Sequence, residues 1–547
     1  MKKNDKIKLK IEDVTKEGHG IGRHDGMAIF IPGAATGDEL EVLVLKVLKN
    51  YAFGKILNII TPSTDRVTPD CEVFSQCGGC AFRHINYEAE LRIKTKFVID
   101  AIERIGKINT QINPIIGADE IDFYRNKAQY PVGKNAETGF YALHSHRIID
   151  CIDCRLSPPE FEKILQIFKK FIQQTNLTSH EKYGLLRHIY IRKAMNTGEI
   201  MVCPVINGQK LPRADMLINM LSVIPSIKSI MLNINTKDTN VILGEKFIHL
   251  QGEPHITDIL CGIKFRLSPK SFYQVNTAMT EVLYNLVKTH CECDKNMTIV
   301  DLYCGTGTIG LTLAKDVKQL IGVEIVKEAI KDAEHNKKIN NINNTRFINA
   351  DAAEAAKQLE TEGIKPDIII IDPPRKGCDD NLIEPITKMN PKKIIYISCN
   401  PATLARDLSR FEALSYKTTE ITPIDLFPRT AHVETVVLLS HKKPDSYINI
   451  NIEFGKGEGK IPLEGIAQRI EDKKPKKRIT YKMIKEYILE KHGFKVHTAN
   501  IAEVKRSLGL PMYEAPNKVD ELKNPYVPAT PIKVEAIKDA LKHFEII

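Results

Sequence analysis

Two side chains in this sequence combine the reactivity and the placement needed for covalent chemistry. Cys399 directly follows KIIYIS, an apolar run that reads as a buried strand, and Glu434 lies in HVETVVLL, which reads as another. A thiolate can add to an electron-poor carbon and a carboxylate can remove a proton. Alone, a cysteine is usually a small buried apolar residue and a glutamate a solvated charge. Their neighbours change that reading. DLYCGTGTIG runs from an apolar strand into Gly305, Gly307 and Gly310, then into a helix. Glycines there permit a tight turn and a close approach of backbone to a nucleotide. Glu324 ends the next strand, 23 residues after Asp301, where an acid suits the two hydroxyls of a ribose. Asp351 follows a third strand, and IIIIDPPRKG places Asp372 and two prolines after a fourth. The prolines remove backbone donors and stiffen that loop.

These groups need a scaffold that brings strand ends to one edge. Residues 271–442 alternate strands with helices, the pattern of a parallel, doubly wound α/β sheet whose ligands bind at the carboxyl ends of its strands. Residues 1–60 read as about five short strands broken by glycine, a small closed barrel. TPSTDRVTPD (61–70) reads as a linker, and 61–270 as a central domain with strands at KAQYPVG, HIYIRKAM, EIMVCPVI and IKSIMLNIN. NYEAELRIKTKFVIDAIERIG is apolar at helical spacing and ends at Gly106. Residues 443–547 read as a separate α-rich module. It opens on the strand-like INININIEF and a basic run (Lys473, Lys474, Lys476, Lys477, Arg478), and its last helix is introduced by Thr530–Pro531.

Composition narrows the classes. The 547 residues carry a net charge of +10, the sign expected of a protein that handles phosphates. The N-terminus lacks the apolar segment of a signal peptide, and no run of about 18 apolar residues occurs. A cytoplasmic location without membrane contact is expected, and there the 12 cysteines are thiols, metal ligands or nucleophiles rather than disulfides.

An aspartate–Pro–Pro loop resembles that of S-adenosylmethionine-dependent methyltransferases acting on nucleobases, which argues against the NAD enzyme that the glycine loop alone allows. SCNPATLARD around Cys399, LFPRTAHVETV around Glu434 and SFYQVN at 271–276 together resemble the RNA uridine-C5 methyltransferase family over residues 1–442. The barrel, similar to a TRAM domain, and the cysteine cluster place the chain nearest the 23S rRNA branch. The resemblance implies a Rossmann-like class I methyltransferase domain, S-adenosylmethionine as methyl donor, Cys399 as nucleophile and Glu434 as base. It also implies Gln274, Tyr303, Thr308, Glu324, Asp351 and Asp372 around cofactor and base, with Asp372 on either one. The target base would flip out of its stack into the pocket. Arg375 and Arg429 are candidate phosphate contacts. Lys46, Lys49, Tyr51, Phe53 and Lys55 on the barrel could follow an RNA backbone. No protein partner is implied, and a monomer is expected.

CEVFSQCGGC spaces Cys71, Cys77 and Cys80 by five and two residues, and CIDC adds Cys151 and Cys154. Spacing alone suits zinc or an iron–sulfur cluster equally. The resemblance implies a [4Fe-4S] cluster on Cys71, Cys77, Cys80 and Cys154. A radical enzyme does not fit, because its cysteines usually follow C-x3-C-x2-C. Methylation of tRNA in its T-loop remains an alternative substrate. An N-methyltransferase, or an RNA-binding protein without catalysis, would need neither Cys399 nor Glu434.

Overall fold

The computed structural model describes residues 1–143, 145–180, 182–441, 481–508, 510 and 529–544. The chain forms two compact units, Met1–Asp445 and Ser446–Ile547. The strand-like INININIEF and the basic run at 473–478 lie outside the described residues.

The first unit opens with β1 (Lys6–Val14), β2 (His19–His24), β3 (Met27–Pro32), β4 (Glu39–Val47) and β5 (Tyr51–Thr61). They close a barrel in the order β1-β2-β3-β5-β4. Period-two patterning drives closure: Ile7, Leu9 and Ile11 point inward while the intervening lysines face solvent. Helix α1 (Tyr87–Ala101), capped by Asn86, continues into a π-helical turn that ends at Gly106. Next come β6 (Lys127–Pro131), the hairpin β7 (Gly139–Tyr141)/β8 (Ile148–Asp150), α2 (Pro159–Thr175), β9 (Leu186–Lys193), β10 (Ile200–Ile206), α3 (Ala214–Leu221), β11 (Ile227–Ile234) and β12 (Lys246–Gly252). The order β12-β11-β10-β9-β6 makes a five-stranded sheet whose one face packs on α2 and α3. A hairpin, β13 (Ile256–Leu260)/β14 (Ile263–Leu267), leads through SFYQVN into α4 (Thr277–Cys291).

The last part of this unit is a seven-stranded sheet. Its elements are β15 (Thr298–Asp301), α5 (Thr308–Ala314), β16 (Gln319–Glu324), α6 (Lys327–Ile339), β17 (Thr345–Asn349), α7 (Ala352–Thr361), β18 (Ile368–Ile371), α8 (Ile383–Lys388), β19 (Lys393–Ser398), α9 (Pro401–Ala413), β20 (Tyr416–Ile424) and β21 (Glu434–His441). Their order is β17-β16-β15-β18-β19-β21-β20. The first five are parallel, and β21 inserts antiparallel to β19 and β20. Ile368–Ile371 is buried throughout, as a central parallel strand covered on both faces must be. Strand order reverses between β15 and β18, which opens a crevice at their carboxyl ends.

A fully buried charge network ties α1 to the turn before β21. Lys94 Nζ donates to Glu90 and Asp425 (each 2.7 Å) and to the Phe427 carbonyl (3.1 Å). Tyr87 Oη donates to Asp425 (2.9 Å), and the Arg429 N–H donates to Glu90 (2.7 Å). Lys94, Glu90 and Asp425 are each inaccessible to solvent.

The second unit holds three helices, α10 (Tyr481–His492), α11 (Thr498–Ser507) and α12 (Pro531–His543). Ile488, Ile501, Ile537 and Ala540 are among the residues of its own core. Pro531 occupies the first helical position after Thr530. No helix among the described residues is long and apolar enough to cross a membrane.

Replacing Lys94 by Met strands two buried carboxylates. The expected loss is about 3–5 kcal/mol of unfolding free energy, measured by denaturant titration, against under about 1 kcal/mol for the exposed Lys388→Met.

Candidate active site

Strand polarity gathers the candidate residues at one edge of the seven-stranded sheet. Asp301 ends β15, Glu324 ends β16, and Asp351, Asp372 and Cys399 each follow within two residues of a parallel strand. Glu434 begins β21, and because β21 runs the other way, its first residue lies at that same edge. The register pairs Ser398 with Thr435, so one step further places Cys399 opposite Glu434. Opposed residues in an antiparallel pair present their side chains on the same face.

Electrostatics binds the group into one site. Burial pushes the Cys399 thiol up to about 11, aided by the carboxylates of Glu434 and Asp372 and opposed by the Arg375 guanidinium. Burial likewise pushes Glu434 up to about 8, with Asp372 adding to the shift and Arg375 opposing it. Asp372 rises to about 7 through burial, and Asp301 to about 7 through burial and the nearby Asp372. Acids gathered beside a single guanidinium have their protonated forms favoured, and an added positive charge would draw these values down.

Glycine makes the floor. Gly305 (φ 55°) and Gly307 (φ 81°) adopt left-handed conformations, and a Cβ on Gly305 would project into open space. Glu324 accepts from the Gly305 N–H (3.2 Å) and the Val326 N–H (2.8 Å), leaving further lone pairs for a hydroxyl. Asp351 caps α7 through the Ala353 N–H (2.9 Å). Thr308 receives a hydrogen bond from Tyr284 Oη (2.8 Å), and Tyr303 packs half-buried against the core. These contacts give Asp351 and Thr308 structural work of their own. Gln274 is half-buried, and its carbonyl accepts from Asn126 Nδ2 (2.8 Å).

Arg375 remains exposed and reaches His432 Nε2 (3.2 Å). Arg429 does not match the expected phosphate contact. Its guanidinium is nearly buried, donates to the Ile85 carbonyl (3.0 Å) and lies beside Glu90 (3.5 Å). Sequence reasoning passed over His432, whose imidazole is held down at about 4 by burial and by Arg375, Lys94 and Arg125. A polar residue within LFPRTAHVETV, two before Glu434, was the signal for it.

Cys71, Cys77, Cys80, Cys151 and Cys154 line one cavity of about 230 Å³, with Arg83, Arg125 and Arg155 among its walls. Cys151, the member of the CIDC pair not chosen as a ligand, donates to Asp153 (3.7 Å), and its neighbours Cys154 and Cys71, with burial, hold its thiol well above the ordinary range. Among the described residues no group of three or more His, Cys, Asp or Glu converges as the ligand set of a metal ion. The metal cluster expected of this domain is therefore not shown: the five cysteines line a cavity and do not close on a single point. The same loop is fixed to the sheet edge: the Ala81 and Phe82 N–H groups donate to the Arg429 carbonyl (2.8 and 3.2 Å).

The sheet order, the glycine loop and the acid-lined edge define a class I S-adenosylmethionine-dependent methyltransferase. Residues 86–442 match the family model described as tRNA (uracil-5-)-methyltransferase, and residues 2–57 match the TRAM domain. The chain is 43% identical over 448 residues to an uncharacterized RNA methyltransferase of Clostridium tetani, covering 81% of this chain and 97% of that one. It is 45% identical over 448 residues to one from Halalkalibacterium halodurans, covering 80% and 98%. Among solved structures it resembles the Pyrococcus abyssi tRNA (uracil-54, C5)-methyltransferase in complex with S-adenosyl-L-homocysteine, at 27% identity and a TM-score of 0.66, covering 79% of this chain and all of that one. The chain belongs to the tRNA (uracil-5-)-methyltransferase family and is a TRAM-containing RNA methyltransferase of the 5-methyluridine type.

The raised carboxyls make stability depend on pH. Glu434, Asp372 and Asp301 keep protons in the fold that the unfolded chain releases near pH 4–4.5. Stability therefore falls as pH rises from about 5 through 8. Thermal melts across that window are expected to show a downward slope that Glu434→Gln makes shallower.

Proposed function

We propose that this enzyme methylates carbon 5 of a uridine in 23S rRNA, with Cys399 as nucleophile and Glu434 as base. The observation carrying this reading is the cross-strand pairing that sets Cys399 opposite Glu434. The Cys399 sulfur adds to C6 of uracil, and the electron pair displaced from the C5–C6 double bond makes C5 nucleophilic. S-adenosylmethionine supplies an electrophilic methyl group on a sulfonium, and its charge favours the thiolate and carboxylate forms of the pair. Glu434 then takes the proton from C5, the double bond re-forms, and Cys399 leaves C6 as a thiolate. In this reading Asp372 holds the uracil edge or the cofactor, and Glu324 accepts from ribose hydroxyls. Tyr303, Thr308, Asp351 and Gln274 form the rest of the proposed lining.

The substrate assignment rests on the barrel and the cysteine cavity. Tyr51 and Phe53 form an aromatic group with Phe30 (ring centroids 5.6–5.9 Å), and Lys46, Lys49 and Lys55 are exposed nearby in sequence. Such a surface stacks bases and follows phosphates. The cysteine cavity is proposed to hold a [4Fe-4S] cluster on Cys71, Cys77, Cys80 and Cys154. A four-iron cluster takes one thiolate per iron and needs no common point, and the walling arginines suit its negative charge. Its role would be to order the loop, since methyl transfer consumes no electron. A second reading, methylation of tRNA, is favoured by the Pyrococcus abyssi protein, whose substrate is uracil-54 of tRNA.

Enzyme purified without oxygen is to be given labelled S-adenosylmethionine and unmodified bacterial rRNA and tRNA, and the product mapped. Label in 5-methyluridine of 23S rRNA supports the proposal, and label confined to tRNA replaces it with the second reading. Cys399→Ala is expected to lower the rate by about 10³-fold or more. Glu434→Gln is expected to accumulate an RNA–protein adduct stable in denaturing gels, because the methylated intermediate keeps its C5 proton. Metal analysis of the same preparation is expected to give about four irons per chain with matching sulfide; zinc without iron removes the cluster from the proposal.

A further inference from the structure

The inner edge of the central sheet carries a group of cations that the methyl-transfer steps do not use, although one of them, Arg125, also walls the cysteine cavity. Arg125 pairs with Asn276 in an isolated bridge just ahead of β6, and Lys127, two residues on, begins β6. Residues two apart on an extended strand share a face. Lys127 lies directly opposite Arg192 of β9, so the three basic side chains occupy one face. Ala128 and Tyr130 alternate to the other face and pack into the core beneath α2 and α3.

The basic face is turned toward the loop that carries Gln274. Arg192 spends its guanidinium on that loop, donating to the carbonyls of Ser268 (3.0 Å) and Ser271 (2.7 Å). Asn126 fixes the other end of the loop, donating to the Gln274 carbonyl (2.8 Å), while its own N–H donates to the Val275 carbonyl (2.8 Å). Arg125 also lies close enough to His432 to lower its basicity, which places the group beside the Arg375–His432 edge of the site. Among the described residues, neither the Lys127 ammonium nor the Arg125 guanidinium forms a hydrogen bond or an ion pair with the protein. Burial, Arg192 and Arg125 together pull the Lys127 amine down to about 7. A lysine kept half-buried among arginines, with no acid to balance it, destabilises the free fold.

We infer that Lys127, supported by Arg125, binds a phosphodiester group of the RNA beside the target nucleotide. The inference rests on the reading of this edge as the RNA-methylating site. An anion is the ligand that turns the repulsion among these cations into attraction. A phosphodiester is the anion that a polynucleotide necessarily brings to a loop bearing a base-contact residue.

The test compares wild type with Lys127→Gln and Lys127→Arg. Methylation of unmodified bacterial RNA by the wild type comes first, and its failure would sink the parent reading, not this one. Binding of a single-stranded oligouridylate is then measured against salt concentration. Lys127→Gln is expected to bind about tenfold more weakly at low salt and to lose about 0.7 from the log–log salt slope, the share of one phosphate on a single strand. Lys127→Arg is expected to restore both, and KM for S-adenosylmethionine to stay unchanged in each variant. Because removing the charge relieves repulsion, Lys127→Gln is expected to melt no lower than wild type. A merely structural lysine would give the reverse pattern: a lower melting temperature with unchanged affinity and salt slope. That result, or an Arg variant binding no better than the Gln variant, would overturn the inference.

Discussion

The site depends on the antiparallel insertion of β21 between β19 and β20. In a sheet of parallel strands, every carboxyl end lies at one edge and every amino end at the other. A strand of opposite sense brings its first residue to the ligand edge, and here that residue is Glu434. The register is what matters chemically. Side chains alternate along a strand, so slipping β21 by one residue would turn the carboxyl to the other face of the sheet. Ser398 paired with Thr435 is therefore the contact from which the geometry of Cys399 and Glu434 follows.

That register is held from outside the sheet. The turn from Asp425 to Val433 is anchored by the Lys94–Glu90–Asp425 network and by the Arg429 N–H on Glu90. Burying these three charged groups is costly against an apolar core of the same shape. What the arrangement supplies is direction, since hydrogen bonds from one ammonium to two carboxylates and a carbonyl permit few positions for the turn. The Arg429 carbonyl, facing the opposite way, takes the Ala81 and Phe82 N–H groups. Cysteine loop, first helix and catalytic edge thus meet at one residue in a left-handed conformation (φ 67°).

Much of this was legible in the sequence because it is written in short-range patterns. Alternating Ile7, Leu9 and Ile11 announce a barrel strand, and TIVDLY followed by Gly305 and Gly307 announces a strand, turn and helix. The strand ends carrying Asp372 and Cys399 were visible as apolar runs that stop. Helices α2 and α3 were lost within a stretch read as mixed, although Phe161, Leu165, Phe168 and Ile172 follow helical spacing. Other features were not written locally at all. Lys94 sits in a charged helix four residues from Glu90, and nothing near it reveals that its other carboxylate partner lies 331 residues onward. Arg429 reads as a candidate phosphate contact until the fold places Glu90 beside it. The strand order that sets β21 between β19 and β20 belongs to the three-dimensional sheet.

The span between Lys94 and Asp425 has a consequence for the order in which the molecule is made. A chain synthesised from its N-terminus completes the barrel, the central sheet and the strand ending at Cys399 before the residues that brace Glu434 exist. Contacts of such long sequence separation close late, because the intervening chain must first be ordered. Cys399 is thus translated before Glu434 and before the Asp425–Val433 turn that holds Glu434 in register. The cross-strand pair at the sheet edge is complete only when the last strand of the first unit has inserted.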